Sequence, residues 1–360
     1  MVDRPIRSVH IIGSRASGGA ERFYIRIVRS LHALGHPVLA VCPPGSAIAQ
    51  KLVDVPMRPL SMRSIWDLYA RWNIVCATRS FGTQIVQTYL GRATRLTHLK
   101  AGGRSVHVAR LGGYYNLDHY RHAHAWVANT GGIYRYLITN GFPAKRVFHI
   151  GNFVEPAPPR PATTRTQIRE AAGIPPDAYV LVSVGRLHPN KAFDNLLTAF
   201  AALPRHVDDR PLHLVIVGDG PLRGEIQDQA RSLRIAADVH FVGWQSDPNP
   251  YYQIADIFIC PSRIEPLGNV ILEAWSHGLP VIATRSAGAE ELIHDGVDGR
   301  LVPIDDPTTL AAAIRRFLET DTKTLEAFAE AGRMTLAENH GAESVLERYI
   351  EMYRLLSKDN

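Results

Sequence analysis

The sequence contains little cysteine and lacks any long hydrophobic run. Three cysteines occur among the 360 residues: Cys42, Cys76 and Cys260. An odd number without C-x-x-C spacing argues against a disulfide framework and a zinc site, so we predict buried thiols on strands. No apolar stretch approaches the roughly 18 residues of a membrane span, and the N-terminus lacks the pattern of a signal peptide. We therefore expect a cytoplasmic protein, either soluble or peripheral on the inner face of the membrane.

Familiar cofactor and metal patterns are also missing. Gly218 and Gly220 follow an apolar run, but the next glycine, Gly224, comes one position too late for G-x-G-x-x-G, and Pro221 interrupts the spacing. This segment predicts a tight turn and disfavours a nicotinamide site. The chain also has no Asp-x-Asp pair. We therefore expect neither a metal ion nor another cofactor.

Positive charge is concentrated in the first part of the chain. Residues 1–155 hold 20 Lys and Arg against 6 Asp and Glu, whereas residues 156–360 hold 20 against 28. A basic domain attracts anionic partners such as phosphate-rich lipid, nucleic acid or a phosphorylated acceptor, although an Arg-rich composition alone would give the same count. No nucleic-acid module is recognisable, so we expect an anionic membrane surface and no nucleic acid.

Apolar, β-branched runs alternate with helical patterns, which is typical of βα units around parallel sheets. The predicted strands form two series, at 8–12, 37–42, 83–87, 105–110, 125–128 and 147–152, and at 180–184, 212–217, 239–242, 257–260, 280–283 and 299–302. Between them lies a proline-rich linker with Pro156, Pro158, Pro159 and Pro161. The chain therefore predicts an α/β fold of two Rossmann-like domains, residues 1–155 and 170–341, facing each other across a cleft. An amphipathic helix is predicted over about 342–357.

Two strand-to-helix turns carry candidate phosphate-binding groups. Gly18 and Gly19 lie in the turn after the first strand, where backbone N–H groups at a helix start favour anions. Arg186 and Lys191 follow the first strand of the second series and have the charge and spacing to clamp a diphosphate. The alternatives are a purely structural turn and two solvated surface cations. Open α/β sheets bind ligands at the carboxyl ends of their strands, which favours a functional role.

The sharpest pattern has two glutamates, Glu265 and Glu273, separated by seven residues. Gly268 is predicted to begin a helix that carries Glu273 about one turn inside. Carboxylates accept hydrogen bonds from sugar hydroxyls, while N–H groups at Gly268, Asn269 and Val270 can meet a phosphate. A lone glutamate in such a helix would be ordinary capping, but the pair predicts a site for a polyhydroxyl ligand.

Together these residues resemble glycosyltransferase family 4, retaining enzymes of the GT-B fold. The resemblance spans nearly the whole chain and is strongest over residues 180–304, including the segments 287–291 and 295–299. It implies an N-terminal domain that binds the acceptor, a C-terminal domain that binds a nucleotide sugar, and a last helix that packs back on the first domain.

By the same resemblance, three residues are catalytic and six bind the donor. The catalytic residues are Arg186, Lys191 and Glu265, with the two cations on the diphosphate and Glu265 on the donor-sugar hydroxyls. The donor-binding residues include Glu273, placed on the ribose; the others are Gly18, Gly19, Gly268, Asn269 and Val270.

Two positions depart from the family pattern. Many relatives carry a histidine near the donor sugar where this chain has Gly112, so that contact is lost or comes from a neighbouring Tyr or His. A glycine commonly follows the lysine, but here Ala192 follows Lys191. No catalytic histidine is therefore assigned.

The resemblance implies an enzyme, with a hexosyltransferase activity expected. It would move a sugar from a nucleoside-diphosphate sugar to a glycan or lipid-linked acceptor, with retention and without a metal, in lipopolysaccharide or cell-surface polysaccharide synthesis. Two alternatives stay open: a nucleotide-sugar-binding protein that does no chemistry, and a sugar-nucleotide epimerase of the same fold. The intact cations and glutamates disfavour the first, and the lack of a clear acid–base cluster disfavours the second.

Overall fold

The protein folds into two α/β units. In the computed structural model, residues 5–16, 18–155, 157 and 162–358 are described. Unit 1 comprises Met1–Phe153 together with Ala342–Asn360, and unit 2 comprises Val154–Gly341. The prolines at 156, 158, 159 and 161, which define the predicted linker, lie outside the described residues, as does Ser17 in the first glycine-containing turn.

Unit 1 is built on a seven-stranded parallel sheet. Its strands are β1 Ser8–Ile12, β2 Val38–Cys42, β3 Met57–Pro59, β4 Ile85–Tyr89, β5 Val106–Leu111, β6 Ala125–Ala128 and β7 Val147–His149. They lie in the order β3-β2-β1-β4-β5-β6-β7. Strands β1, β4, β5 and β6 are buried at every residue, because helices cover both faces of such a sheet.

The helices of unit 1 follow these strands, and the C-terminal helix joins them. They are α1 Gly19–Ala33, α2 Ala47–Gln50, α3 Leu68–Phe81, α4 Leu90–Leu96, α5 Gly131–Thr139 and, at the end of the chain, α14 Ala342–Lys358. Helix α14 packs on unit 1 through an apolar stripe, and its Tyr353 hydroxyl donates to Gln87 Oε1 at 2.5 Å. The end of the chain is thus held by both apolar burial and a buried hydrogen bond.

Unit 2 repeats this plan. Its strands are β8 Tyr179–Val184, β9 His206–Val207, β10 Arg210–Val217, β11 Val239–Gly243, β12 Ile257–Cys260, β13 Val281–Thr284 and β14 Arg300–Val302. Its helices are α6 Ala162–Ala171, α7 Phe193–Ala201, α8 Arg223–Ser232, α9 Asn249–Ile254, α10 Asn269–Ser276, α11 Ala287–Leu292, α12 Pro307–Leu318 and α13 Thr322–His340. The sheet order is β11-β10-β8-β12-β13-β14, all parallel, and β9 pairs antiparallel with β10.

Both sheets reverse their strand order in the middle. In unit 1 the reversal lies between β1 and β4, and in unit 2 it lies between β8 and β12. In doubly wound sheets the two connections leave such a point on opposite faces, which opens a crevice at the carboxyl ends of the strands. The predicted fold class, two Rossmann-like α/β domains with parallel sheets, is therefore confirmed.

The prediction for the cysteines was partly wrong. Cys42 lies buried on β2 and Cys260 lies buried on β12, but Cys76 lies on helix α3 and is only partly buried. Burial raises the pKa of the Cys260 thiol to about 11. Among the helices that the structure describes, none combines the length and the apolarity needed to cross a bilayer.

Buried histidines make the stability of unit 1 depend on pH. His10 is fully buried on β1, with Nδ1 2.8 Å from the Tyr89 hydroxyl and Nε2 3.0 Å from Ser8 Oγ. Burial lowers the pKa of His10 from 6.5 to about 3 and also lowers the pKa of His107, beside three further histidines. At a pH below about 6.5, an unfolded histidine binds a proton that the buried, folded histidine does not bind. The unfolding free energy is therefore highest above this pH and decreases as the pH falls.

We therefore expect His10 to cost unit 1 up to about 1.4 kcal/mol of unfolding free energy per pH unit as the pH drops below 6.5, and His107 to act in the same direction. Thermal midpoints measured at about pH 7, 6 and 5 check this. The matched variant His10→Gln should have a lower midpoint at neutral pH but a shallower decline. A wild-type midpoint that stays constant over this range would contradict the prediction.

Candidate functional site

The predicted site residues of unit 2 lie on the loops that follow β8 and β12 and on the start of helix α10. These two strands are hydrogen-bonded neighbours, with Ile257 paired to Leu181 and Phe258 to Val182. They also flank the point where the strand order reverses. Because parallel strands end at the same edge of the sheet, the two loops meet there. The structure thus brings together residues that are about 80 positions apart in sequence, at the edge where such folds bind ligands.

The loop after β8 carries the two predicted cations. Arg186 is exposed, and within the described part of the chain its guanidinium has no hydrogen bond or ion pair. A short 3-10 turn, Pro189–Lys191, leads to Ala192, which adopts the left-handed conformation (φ 49°, ψ 40°) before α7. Glycine adopts this conformation without steric penalty, which explains why glycine suits the position that Ala192 occupies.

A second loop supports the first through its backbone. Gly218 follows β10, and a Cβ at this residue (φ 147°) would lie 1.9 Å from the Gly185 carbonyl oxygen. The Gly185 N–H donates to Val217 O at 2.9 Å, and the Leu187 N–H donates to Asp219 O at 3.0 Å. The glycine turn predicted at 218–221 therefore serves the backbone, and it holds the loop that carries Arg186 and Lys191.

Lys191 and Glu265 form an ion pair. Lys191 Nζ donates to Glu265 Oε2, and the two side chains are 22% and 11% exposed. The loops that carry them are also joined by the Ile264 N–H, which donates to Asn190 O at 3.0 Å. An ammonium group has three donors, so Lys191 can hold Glu265 and still donate to an anion. The pair places one cation and one carboxylate at a single point of the sheet edge.

Arg263 is a positioning residue that the sequence did not reveal. Its guanidinium contacts Asp194 through two hydrogen bonds of 3.0 and 2.7 Å, donates to Asp305 at 2.5 Å and donates to Pro189 O at 2.9 Å. It thereby ties the Lys191 turn and helix α7 to the loop that precedes Glu265. A single arginine with partners 69 and 42 positions away leaves no local pattern in the sequence.

Helix α10 begins at the predicted residue. Gly268 is its N-cap, in a left-handed conformation (φ 81°), and Asn269 and Val270 form the first helical positions. The first amides of a helix have no intrahelical acceptor, so this end favours an anion. Glu273 lies one turn further, partly buried, where its Oε2 accepts a hydrogen bond from the Tyr252 hydroxyl at 3.1 Å. The predicted helix and the position of Glu273 on it are confirmed.

Tyr252 holds Glu273 from a neighbouring helix. Its ring stacks on the His277 ring with centroids 5.2 Å apart and an interplanar angle of 13°. His277 Nε2 in turn lies 2.9 Å from Asn249 Oδ1. This chain of contacts fixes the direction of the Glu273 carboxylate. Tyr252, like Arg263, was not found from the sequence because its contact depends on the packing of α9 against α10.

Gly18 and Gly19 lie in unit 1, at the N-terminus of α1 after β1. The Gly18 N–H donates to the Glu21 carboxylate at 3.1 Å, and Glu21 is buried. One of the predicted phosphate donors is therefore already bound by the helix's own third residue. The Gly19 N–H belongs to the first turn of α1, where amides have no intrahelical acceptor.

Gly112 follows β5 and lies against two buried polar side chains of unit 1. A Cβ at Gly112 would be 3.5 Å from Asn129 Nδ2 and 3.6 Å from an Arg110 guanidinium nitrogen. Arg110 stacks over the Phe23 ring at 3.9 Å, donates to Tyr349 Oη at 3.3 Å and donates to Asn152 Oδ1. This chain thus has a buried arginine beside Gly112.

The unit 2 cluster has the groups needed to bind a phosphorylated polyhydroxyl compound. Two cations and a helix N-terminus favour phosphate oxygens, and two carboxylates accept from hydroxyl groups. Across the described ranges, no three histidines, cysteines or carboxylates are grouped so as to hold a metal ion.

The chain is similar to known glycosyltransferases in both sequence and structure. The chain matches the family model described as glycosyl transferases group 1 over residues 164–335. It is 31% identical to the lipopolysaccharide core biosynthesis glycosyltransferase LpsE of Rhizobium meliloti (strain 1021), over 93% of this chain and 95% of that protein.

Two solved structures are similar over nearly their whole length. A glycosyltransferase from Rickettsia africae ESF-5 has a TM-score of 0.84 at 20% identity, covering 99% of this chain and 100% of that one. Anabaena Alr3699/HepE, solved with UDP and glucose, has a TM-score of 0.81 at 20% identity, covering 97% and 100%. These likenesses assign the GT-B fold, and the identity to LpsE shows the family. The chain belongs to the glycosyl transferases group 1 family and is a glycosyltransferase.

Proposed function

We propose that this glycosyltransferase is a retaining enzyme of glycosyltransferase family 4 that transfers a hexose from a nucleoside-diphosphate sugar. The observation that carries the proposal is the grouping of Arg186, Lys191, Glu265 and Glu273 at the sheet edge where the strand order reverses. Diphosphate, sugar and ribose each have a matching group there. UDP and glucose bound to the structurally similar HepE support a nucleotide-sugar donor.

In the proposed reaction, the bond between the sugar C1 and the diphosphate oxygen breaks, and an acceptor oxygen bonds to C1 on the same face. The acceptor's proton goes to the departing phosphate oxygen. Negative charge develops on the diphosphate, where Arg186, Lys191 and the amides at the start of α10 stabilise it. Glu265 would orient the sugar through its hydroxyls, and Glu273, held by Tyr252, would orient the ribose.

Two cations at the diphosphate provide the charge that a divalent ion supplies in other phosphate sites, so we propose that transfer needs no metal. Arg186 offers a forked set of donors and Lys191 offers a point charge. Both lie on a loop whose backbone is braced by the Gly218 turn, and Lys191 is also held by Glu265, so the position of Lys191 is set before the donor arrives. Such preorganisation lowers the barrier because few groups have to move as charge develops.

We propose a glycan or lipid-linked acceptor in lipopolysaccharide or cell-surface polysaccharide synthesis, at the inner face of the membrane. LpsE and the LpsD protein of the same organism, 28% identical over 93% of this chain, are both lipopolysaccharide core glycosyltransferases, which supports this acceptor class. The excess of basic residues in positions 1–155 supports binding to an anionic membrane surface.

A donor screen tests the function. Nucleoside-diphosphate sugars that bind the native protein should raise its thermal midpoint, because a ligand specific for the folded state stabilises it. The donor with the largest shift is then incubated with a lipopolysaccharide-core acceptor, with and without EDTA. We expect transfer that EDTA leaves unchanged and a product whose anomeric configuration, read from its proton NMR coupling, is that of the donor.

Each alternative outcome is informative. A donor that binds but is neither transferred nor hydrolysed would indicate a binding protein without chemistry, and conversion of the donor sugar into its epimer would indicate an epimerase. An inverted product would contradict retention, and activity lost in EDTA and restored by Mg²⁺ would contradict metal independence.

A further inference from the structure

Four large apolar side chains project from one small region of unit 1. Trp66, Leu68, Tyr69 and Trp72, here called the aromatic patch, are 74%, 74%, 69% and 62% exposed. Three of them lie on the first turns of α3, and Trp66 immediately precedes the N-cap, Asp67. Soluble proteins seldom leave so many large apolar groups together in water, so a patch of this kind indicates an interaction surface.

Helix α3 has two different faces. Ala70, Ile74 and Ala77 are fully buried against the core of unit 1, so this face already fixes the helix to the sheet. Residues 68, 69 and 72 follow the spacing that places side chains on one face of a helix. The Tyr69 and Trp72 rings lie 6.4 Å apart with an interplanar angle of 34°. One face of helix α3 is therefore packed on unit 1, while the aromatic patch remains exposed to solvent.

The sequence on either side of the patch carries mostly positive charge. Between Asp54 and Asp118 the sequence has nine Lys and Arg and one acid, Asp67. The Asp67 carboxylate accepts the Ala70 N–H at 2.9 Å and the Arg63 N–H at 3.1 Å, which caps the helix. Arg63 and Arg79 are exposed at either end of α3. The exposed Arg63 and Arg79 thus favour a partner with negative charge beside α3.

We propose that the aromatic patch docks the enzyme on an anionic lipid bilayer. Tryptophan and tyrosine concentrate at the boundary between headgroups and acyl chains, and flanking arginines bind lipid phosphates. This inference rests on the membrane-side function proposed above and names the residues that carry it.

The test compares the double variant Trp66→Ser/Trp72→Ser with wild type and with Trp244→Ser. Trp244 is 57% exposed in unit 2 and serves as the matched control. Binding is measured by sedimentation with vesicles of phosphatidylcholine alone or mixed with phosphatidylglycerol. We expect wild type and the control to bind the anionic vesicles. The double variant should bind them at least about tenfold more weakly. Binding should weaken as NaCl rises from about 0.05 to 0.5 M.

Failure of the docking inference is distinguishable from failure of the transferase function. Donor binding in solution should be the same in wild type and double variant, since the patch contains none of the site residues. Equal vesicle binding by both proteins, or binding by neither, would overturn the docking inference while leaving donor transfer intact. Self-association that the double variant abolishes, seen by analytical ultracentrifugation without lipid, would identify the patch as a protein interface and would also overturn it.

Discussion

Replacing Lys191 with alanine is expected to reduce the rate of sugar transfer by roughly 10²-fold or more while the fold stays intact. The ammonium is held beside Glu265 by a braced loop, and in the proposed reaction it stabilises the charge that develops on the leaving diphosphate. Removing one preorganised donor from such a site raises the barrier directly. Steady-state transfer rates at saturating donor measure the effect, and a thermal midpoint near that of wild type shows that the fold is retained.

A purely structural role for the Lys191 pair predicts a different pattern. If Lys191 only neutralises Glu265, the double variant Lys191→Ala/Glu265→Gln should be as active as Glu265→Gln alone, because no unpaired carboxylate is then left. We expect the double variant to be slower than Glu265→Gln, because the donor at the diphosphate is then missing as well. Lys323→Ala removes an exposed lysine from the start of α13 and serves as the control with unchanged turnover. Near-normal turnover in Lys191→Ala would contradict the assignment.

The second large effect is expected from Gly288→Ala. Gly288 lies on α11, and its N–H donates to Glu265 O at 2.7 Å. An added Cβ would lie 2.6 Å from that oxygen and 2.6 Å from Leu267 C, so the loop between Glu265 and Gly268 has to move. A displacement of about 1 Å at catalytic groups lowers turnover by up to ~10²-fold. We expect a loss of that order, together with a destabilisation of roughly 1–3 kcal/mol.

Gly224→Ala is the matched control for this substitution. Gly224 lies on α8, and a Cβ there meets no atom within 4 Å. Gly224 is the second residue of α8, where alanine fits without strain, so the control should be at least as stable as wild type and equally active. Equal activity of both variants would show that the loop position seen at Glu265 is not required for transfer.

Much of the fold follows from the sequence because buried parallel strands are nearly continuous apolar runs. Strands 8–12, 125–128 and 257–260 were predicted with the bounds that the structure has. The short strand β3 was missed because its three residues are exposed or partly exposed and lack an apolar run. Cys76 was misassigned because a single residue type cannot distinguish a strand from the amphipathic helix α3.

The site was predictable only where its chemistry is local. The glutamate pair and the start of α10 share one short segment, so their spacing is visible in the sequence. The backbone contact of Gly218 with Gly185, and the clamp of Arg263 on Asp194, join segments that only the sheet order brings together. The roles of Arg186, Lys191, Glu265 and Glu273 remain predictions.

The central claim is that a donor's diphosphate binds between the loop after β8 and the start of α10. A crystal structure of the protein with the nucleoside diphosphate selected by the donor screen measures this directly. The account predicts phosphate oxygens within hydrogen-bonding distance of Arg186 and Lys191 and ribose hydroxyls on Glu273. A nucleotide bound elsewhere, with Lys191 still paired only to Glu265, would contradict it.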